Sequence, residues 1–339
     1  MAVLAVDVII ILLATGAIWV GSGWLENASE RLATYYGLPE VVQGSIVTAV
    51  GSSFPELATV VVAAITVDSL ELGVGAIVGS AVFNILVIPA LAGISTAEEL
   101  EANRALVYKE ALFYMLAVSI LVITFSFAVI YNPVDGTAHL AGEITRPLAV
   151  IPLGMYGLYV FIQYQDTADH DRDVDRTGIT VGRQWGLLAA GLLVILVAVE
   201  RLVHSVDVIG ASLGVPAFIM GVTVAAAATS LPDAMVSVRA ASEDRGITAL
   251  ANVLGSNTFD LLVAIPVGVM LVGSTPINFS MAIPMFGVLT LATIMLFTAL
   301  RTDLALSVAE SYGLLSAYAL FVLWIVLETL DVVIDLLPT

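Results

Sequence analysis

The chain has 339 residues, 60% of them hydrophobic and 12% charged, where soluble domains average about 45–50% apolar. A mean hydropathy of +1.04 with so few charges excludes an ordinary soluble fold of this size. The absence of cysteine excludes a disulfide framework, a thiolate metal site and a cysteine nucleophile, and a net charge of −18 with a single lysine, Lys109, makes nucleic acid an unexpected partner.

Apolar runs separated by polar or Pro/Gly punctuation predict ten spans, each near the roughly 20 residues that cross a ~30 Å hydrocarbon core. In chain order they lie at 2–25, 40–66, 70–95, 106–131 and 147–164, then at 184–203, 213–240, 246–273, 277–299 and 309–331. The first run lacks a basic leader region and reads as a span, not a signal peptide. The polar connection 165–183, crowded with Asp166, Asp169, Asp171, Asp173 and Asp175, divides the chain into halves 1–164 and 184–339. If the N-terminus is outside, inner connections hold Arg31, Arg104, Lys109, Arg172, Arg176, Arg183, Arg239, Arg245 and Arg301, and the outer side keeps Arg146 and Arg201. This bias predicts a multi-pass cell-membrane protein with both termini extracytoplasmic and the 165–183 loop cytoplasmic.

The halves repeat one another. Gly37-Leu-Pro-Glu-Val-Val-Gln-Gly44 returns as Gly214-Val-Pro-Ala-Phe-Ile-Met-Gly221, and Gly51-Ser-Ser-Phe-Pro-Glu56 returns as Ala228-Thr-Ser-Leu-Pro-Asp233, both at an offset of 177. One residue out of step, Gly79-Ser-Ala-Val-Phe-Asn84 returns as Gly255-Ser-Asn-Thr-Phe-Asp260. Five spans separate the copies, so they cross the membrane in opposite directions. Inverted repeats with a midplane site are the pattern of secondary transporters. The fold class expected is therefore an all-α membrane protein of two inverted five-helix repeats, the repeat motifs covering about 37–90 and 214–267.

Each copy twice places a hydroxyl four residues before a carboxylate or amide: Ser52 and Glu56, Ser80 and Asn84, Thr229 and Asp233, Ser256 and Asp260. Residues at i and i+4 share a helical face. Four such faces packed together form an oxygen-lined cage. Pro55 and Pro232, just before two of the acids, interrupt helical hydrogen bonding, so discontinuous helices are expected, with backbone carbonyls such as those of Ala49 and Ala226 turned to the cavity. An intramembrane acid costs about 2.5–3.5 kcal/mol on insertion scales, and no basic residue lies within these segments beside Glu56, Asp233 and Asp260. These acids must be protonated or face bound cations.

Other acids (Asp7, Glu110, Glu200, Asp207, Glu328 and Asp331) fall near predicted span ends and read as interfacial, with Glu200 and Arg201 a local pair. His204 reads as interfacial too, and His139, His170 and His204 have no metal-ligand spacing. Trp19, Trp24, Tyr35 and Tyr36 read as belt aromatics. The candidate ligands are all hard oxygens, which favours sodium, calcium or manganese over zinc, copper and nickel. A mixed set of carboxylates, hydroxyls and carbonyls suits a dehydrated calcium ion, and the same cage suits several sodium ions. Competition for shared acids leads to antiport if the empty, unbalanced cage does not switch sides.

At these residues the chain resembles the sodium/calcium exchanger family of the cation/calcium exchanger superfamily: Gly51–Glu56 and Ala228–Asp233 look like its two repeat motifs, and Gly79–Asn84 and Gly255–Asp260 like the paired elements that follow. The resemblance implies a membrane antiporter, not an enzyme, that exchanges calcium for sodium by alternating access without a cofactor and works as a monomer. It implies Glu56 and Asp233 as principal shared ligands, Asn84 and Asp260 completing a diamond, and polar contacts from Ser52, Ser53, Ser80, Thr229, Ser230 and Ser256. Ala49 and Ala226 would supply carbonyls, and the helices near 2–25 and 184–203 would slide to alternate access. The chain departs from the family in having Ser52 where Thr is frequent, Ala228 where Gly is and Ala81 where Asn is. Asp233 and Asp260 leave a potassium-dependent exchanger open, with a proton/calcium exchanger as a further alternative. An intramembrane aspartyl protease using Asp233 and Asp260 would want a Gly-x-Gly-Asp element that the chain lacks, and a channel would be blocked by tight binding in so acidic a cage.

Overall fold

The computed structural model describes residues 2–37, 47, 49–96, 99–104, 106–134, 140–167 and 178–330. Most of the first copy of the Gly37–Gly44 motif, most of the acidic linker, His139, His170, Arg172, Arg176 and Asp331 lie outside the described residues.

Two long helices dominate one side. α1 (Ala2–Tyr36) has 35 residues and α8 (Val181–Leu213) has 33, each about 50 Å at 1.5 Å per residue. Neither contains proline, so both run until a glycine turns the chain. Gly37 (φ 70°) and Gly214 (φ 69°) stop them in the left-handed conformation that glycine adopts without strain. These glycines are 177 residues apart, so the repeat shows in the backbone itself. Both helices outrun their predicted spans of 2–25 and 184–203. The polar residues beyond Leu25 and Val203 lie on helix, not in loops. α1 and α8 pack closely where glycines meet: a Cβ on Gly21 would lie 3.2 Å from the Gly191 carbonyl oxygen, and one on Gly191 would lie 2.7 Å from that of Gly21.

The rest of the first half comprises α2 (Ala49–Ser52), α3 (Phe54–Thr66), α4 (Leu70–Leu86), α5 (Ile88–Ser95), α6 (Ala111–Tyr131) and α7 (Arg146–Thr167). The second half continues with α9 (Ala217–Met220), α10 (Ala226–Thr229), α11 (Leu231–Ser242), α12 (Gly246–Phe259), α13 (Ile265–Val272), α14 (Phe279–Arg301) and α15 (Val308–Thr329). π-helical turns occupy Leu106–Glu110, Gly221–Ala225 and Asp260–Ala264. Eight helices among the described residues are long and apolar enough to cross a membrane, and the bent pair Ala217–Thr229 and Leu231–Ser242 passes the same test when taken together. The span expected at 40–66 is described chiefly by α2 and α3.

Segments 70–95 and 246–272 form the centre, with 83% of their apolar windows buried inside the protein, while the outer helices turn hydrocarbon outward. Two small antiparallel pairings tie the halves. β1 (Leu100–Glu101) joins β4 (Ala305–Leu306), and β2 (Ala141–Thr145) joins β3 (Ser274–Asn278). In each, the connection after the third span of one half pairs with the connection after the fourth span of the other, as a two-fold relation between halves requires.

Candidate functional site

Both repeats break at the same place. Ser53 (φ −87°, ψ 8°) separates α2 from α3, and Ser230 (φ −79°, ψ −5°) separates α10 from α11. These angles are those of the sparsely used bridge region between helix and strand. Pro55 and Pro232 follow in the first turn of the downstream helix, where a missing amide hydrogen is tolerated. The second break bends the chain by 44°. Glu56 and Asp233 then fall in the first turn of α3 and α11, where the helix dipole favours negative charge.

One backbone expectation needs correction. The Ala226 carbonyl is not freed by Pro232: it accepts from the Ser230 amide at 3.0 Å and the Thr229 hydroxyl at 3.3 Å. A proline removes the donor to the residue four positions back, so the carbonyls released are those of Ala228 and Gly51.

The partner segments approach these breaks through glycine. A Cβ on Gly75 or Gly79 would collide with the carbonyls of Phe218 and Val222, and one on Gly221 with that of Leu72. α4 therefore lies backbone to backbone against 217–225. The one-residue slip between copies also has a structural counterpart. Asn84 precedes Pro89 by five residues, whereas Asp260 precedes Pro266 by six. The extra residue is absorbed by the π turn that begins at Asp260.

These elements bring the predicted side chains together. Glu56, Asp233, Asn84, Asp260, Ser53, Ser80, Thr229, Ser230 and Ser256 are 0% exposed and Ser52 is 1% exposed. Ala226 is buried beside them in sequence, and Ala49 begins the α2 turn. Ser52 Oγ and Ser256 Oγ are 3.1 Å apart, and Ser230 Oγ donates to Ser80 Oγ at 2.7 Å. Asn84 Nδ2 donates to Asp233 Oδ2 at 3.3 Å. Glu56 is within electrostatic reach of both Asp260 and Asp233; Thr229 lies beside Glu56 and Ser53 beside Asp260, outside hydrogen-bonding geometry.

The oxygens left over define the site. Ten buried polar side-chain atoms among the described residues have no partner, and seven are here: Ser53 Oγ, both Glu56 oxygens, Asn84 Oδ1, Asp233 Oδ1 and both Asp260 oxygens. Each orphaned buried polar group costs about 1–3 kcal/mol, more if charged. Among the described residues no three acid or imidazole groups come together as a metal site by themselves. A bound ion would therefore draw on mixed ligands, with hydroxyl, amide and carbonyl oxygens beside the acids. That donor set fits a hard, dehydrated cation.

Three groups escaped the sequence reading. Asn257 accepts from Asn84 Nδ2 at 3.0 Å and donates to the Ala81 carbonyl at 3.2 Å and the Tyr114 hydroxyl at 3.3 Å. With Asp233, it holds the Asn84 amide nitrogen, and Oδ1 is left without a hydrogen-bond partner. The repeat pattern held the signal, since Asn257 stands opposite Ala81 between two matched residues. Tyr114 supports Asn257 from α6 and carries no motif. Glu26, beyond the predicted end of span one, lies on α1 within electrostatic reach of Asp233.

Two acids read as interfacial are instead buried and paired. Asp7 is 8% exposed and accepts from Ser205 at 3.2 Å, joining α1 to α8; Glu328 is 4% exposed and accepts from Trp324 Nε1 at 3.1 Å. Glu110 accepts from Tyr159 at 3.1 Å and Gln163 at 2.7 Å, while Lys109 donates to Gln163 at 2.8 Å. Glu200 and Arg201 do pair, at 3.2 Å, and His204 is exposed.

A family model described as sodium/calcium exchanger protein matches residues 6–165 and 183–327. The chain is 29% identical over 266 residues to an uncharacterized membrane protein of Methanocaldococcus jannaschii, covering 78% of this chain and 82% of that one. It is 47% identical over 66 residues to sodium/potassium/calcium exchanger 4 of Homo sapiens, covering 20% of this chain and 11% of that one. A solved structure of the sodium-calcium exchanger NCX_Mj, soaked with Na+ and Sr2+, superposes with a TM-score of 0.65 at 24% identity, covering 94% of this chain and 98% of that one.

Proposed function

The chain belongs to the sodium/calcium exchanger family, and on that premise we propose how its buried oxygens perform exchange. It is a multi-pass membrane antiporter that moves calcium against sodium, a transporter and not an enzyme. Glu56 and Asp233 are the ligands both ions share, with Asn84 Oδ1 and Asp260 completing the ring. The hydroxyls of Ser52, Ser53, Ser80, Thr229, Ser230 and Ser256 and the carbonyls of the turns at Ala49–Ser52 and Ala226–Thr229 fill the remaining coordination. The observation that carries this reading is the set of seven orphaned oxygens drawn from both repeats onto one buried centre.

The mechanism follows from charge. A cage of three carboxylates, 0% exposed, is costly to move across a bilayer with its charge unbalanced, so it switches sides when loaded with calcium or with sodium. Binding energy for either ion thereby becomes coupling. The α1–α8 pair, held together through Gly21, Gly191 and the Asp7–Ser205 bond, is the unit that moves past the cage to change access. The chain acts as a monomer of two halves, 1–164 and 184–339, with both termini extracytoplasmic and the 165–183 connection cytoplasmic. The protease reading is not favoured, because the family is one of exchangers, and neither potassium nor proton coupling is favoured over sodium.

The test is calcium uptake into proteoliposomes under imposed gradients. An outward sodium gradient is expected to drive accumulation, and potassium or proton gradients are not. Accumulation that needs no counter-ion would overturn antiport.

A further inference from the structure

α1 carries a polar stripe that the exchange reading leaves unused. Ser22, Glu26 and Ser29 are four and three residues apart and so share one helical face. That face looks at the first break: a Cβ on Gly51 would lie 3.6 Å from Glu26 Cα and 4.0 Å from the Ser29 hydroxyl. Ser22 is 1% exposed and its hydroxyl has no hydrogen-bond partner. Glu26 is partly buried and lies within electrostatic reach of Asp233 in the cage and of Glu30 and Arg239. Glu30 is exposed and the Arg239 side chain is 80% exposed. Asp233, Glu26 and Glu30 are thus buried, partly buried and exposed in turn.

The equivalent face of α8 is built differently. At the offset of 177, Ser22, Glu26 and Ser29 correspond to Val199, Val203 and Val206. All three are 0% exposed and pack in one apolar cluster with Ala225 and Ala228 beside the second break. The pseudo-two-fold therefore relates a polar helix face on one side to an apolar, packed one on the other. Packing does not account for Glu26. Valine fills the matching position on α8.

We propose that the Ser22–Glu26–Ser29 face is a cation way-station, a subsite that passes sodium and calcium between the central cage and the membrane face at which α1 ends. It rests on the exchange reading above. An acid in a confined, low-dielectric approach raises local cation concentration and association rate, so this face serves loading and release there. The opposite approach, lined by the three valines, lacks such a subsite.

The test is the concentration dependence of calcium transport in right-side-out and inside-out vesicles for the wild type, Glu26→Gln and Ser22→Ala. Glu26→Gln is expected to raise half-saturating calcium about tenfold at the α1 C-terminal face and to leave the other face within about twofold. Ser22→Ala moves the same face in the same direction and keeps the test decisive if Glu26→Gln does not fold. Unchanged values at both faces, or equal losses at both, would overturn the way-station. A wild type without sodium-coupled exchange would overturn the parent reading, whereas intact exchange with no sidedness in either variant overturns only this one.

Discussion

The hydroxyls of Ser52 and Ser256 meet at 3.1 Å although 204 residues separate them. Ser230 and Ser80 make a second hydroxyl contact between the repeats at 2.7 Å. Each break is thereby pinned to the continuous helix of the other repeat, so neither half can form the cage alone.

Removing the Ser230 hydroxyl takes away the hydrogen bond it donates to the buried Ser80 hydroxyl. Ser230→Ala is expected to cost about 1–3 kcal/mol of stability and to weaken calcium binding as α10 and α11 lose their register on α4. Thermal unfolding of the purified protein in detergent, followed with and without calcium, checks both effects.

Asn257 acts through Asn84 rather than on the ion. Asn257→Ala frees the Asn84 amide to rotate, and loss of such an orienting partner lowers metal affinity about 10–100-fold. The maximal rate should fall less than the affinity. Initial rates of calcium uptake over a range of concentrations separate the two.

Pro232 keeps the second break open. Pro232→Ala restores a donor to the Ala228 carbonyl and favours a straight helix through Ser230. The expected protein folds but exchanges slowly, because Asp233 leaves the start of a helix and points elsewhere. Normal exchange in this variant would remove the break from the mechanism.

Gly79→Ala tests the backbone contact between α4 and the π turn at Gly221–Ala225. The added methyl collides with the Val222 carbonyl, a rigid backbone atom. Overpacking of this kind costs about 1–3 kcal/mol, so the variant should melt lower and Gly16→Ala, with open space around it, should not. Parallel melting curves read this directly.

Much of this was legible in the sequence because repeated chemistry leaves repeated letters. The offset of 177 places Ser53 opposite Ser230 and Gly37 opposite Gly214, and the structure gives each pair nearly the same backbone angles. What escaped depends on neighbours distant in the chain. Asp7 and Glu328 look like span ends until Ser205 and Trp324 are seen beside them. α1 was expected to end at Leu25 because Glu26, Asn27, Ser29 and Glu30 break the apolar run. A helix stops for want of hydrogen bonds or at a backbone turn, not for want of hydrocarbon, and the first such turn is at Gly37. Pro232 does not release the Ala226 carbonyl for a simpler reason: the residue a proline releases lies four positions back.

The central claim is that carboxylates from both repeats hold one transported ion. Anomalous scattering from crystals soaked in calcium tests it most directly. The account predicts a single strong site touched by Glu56 and Asp233, with oxygen ligands at about 2.3–2.6 Å, that fades as sodium is raised. Calcium bound away from both acids, or Glu56 and Asp233 each satisfied by protein groups with no ion between them, would contradict it.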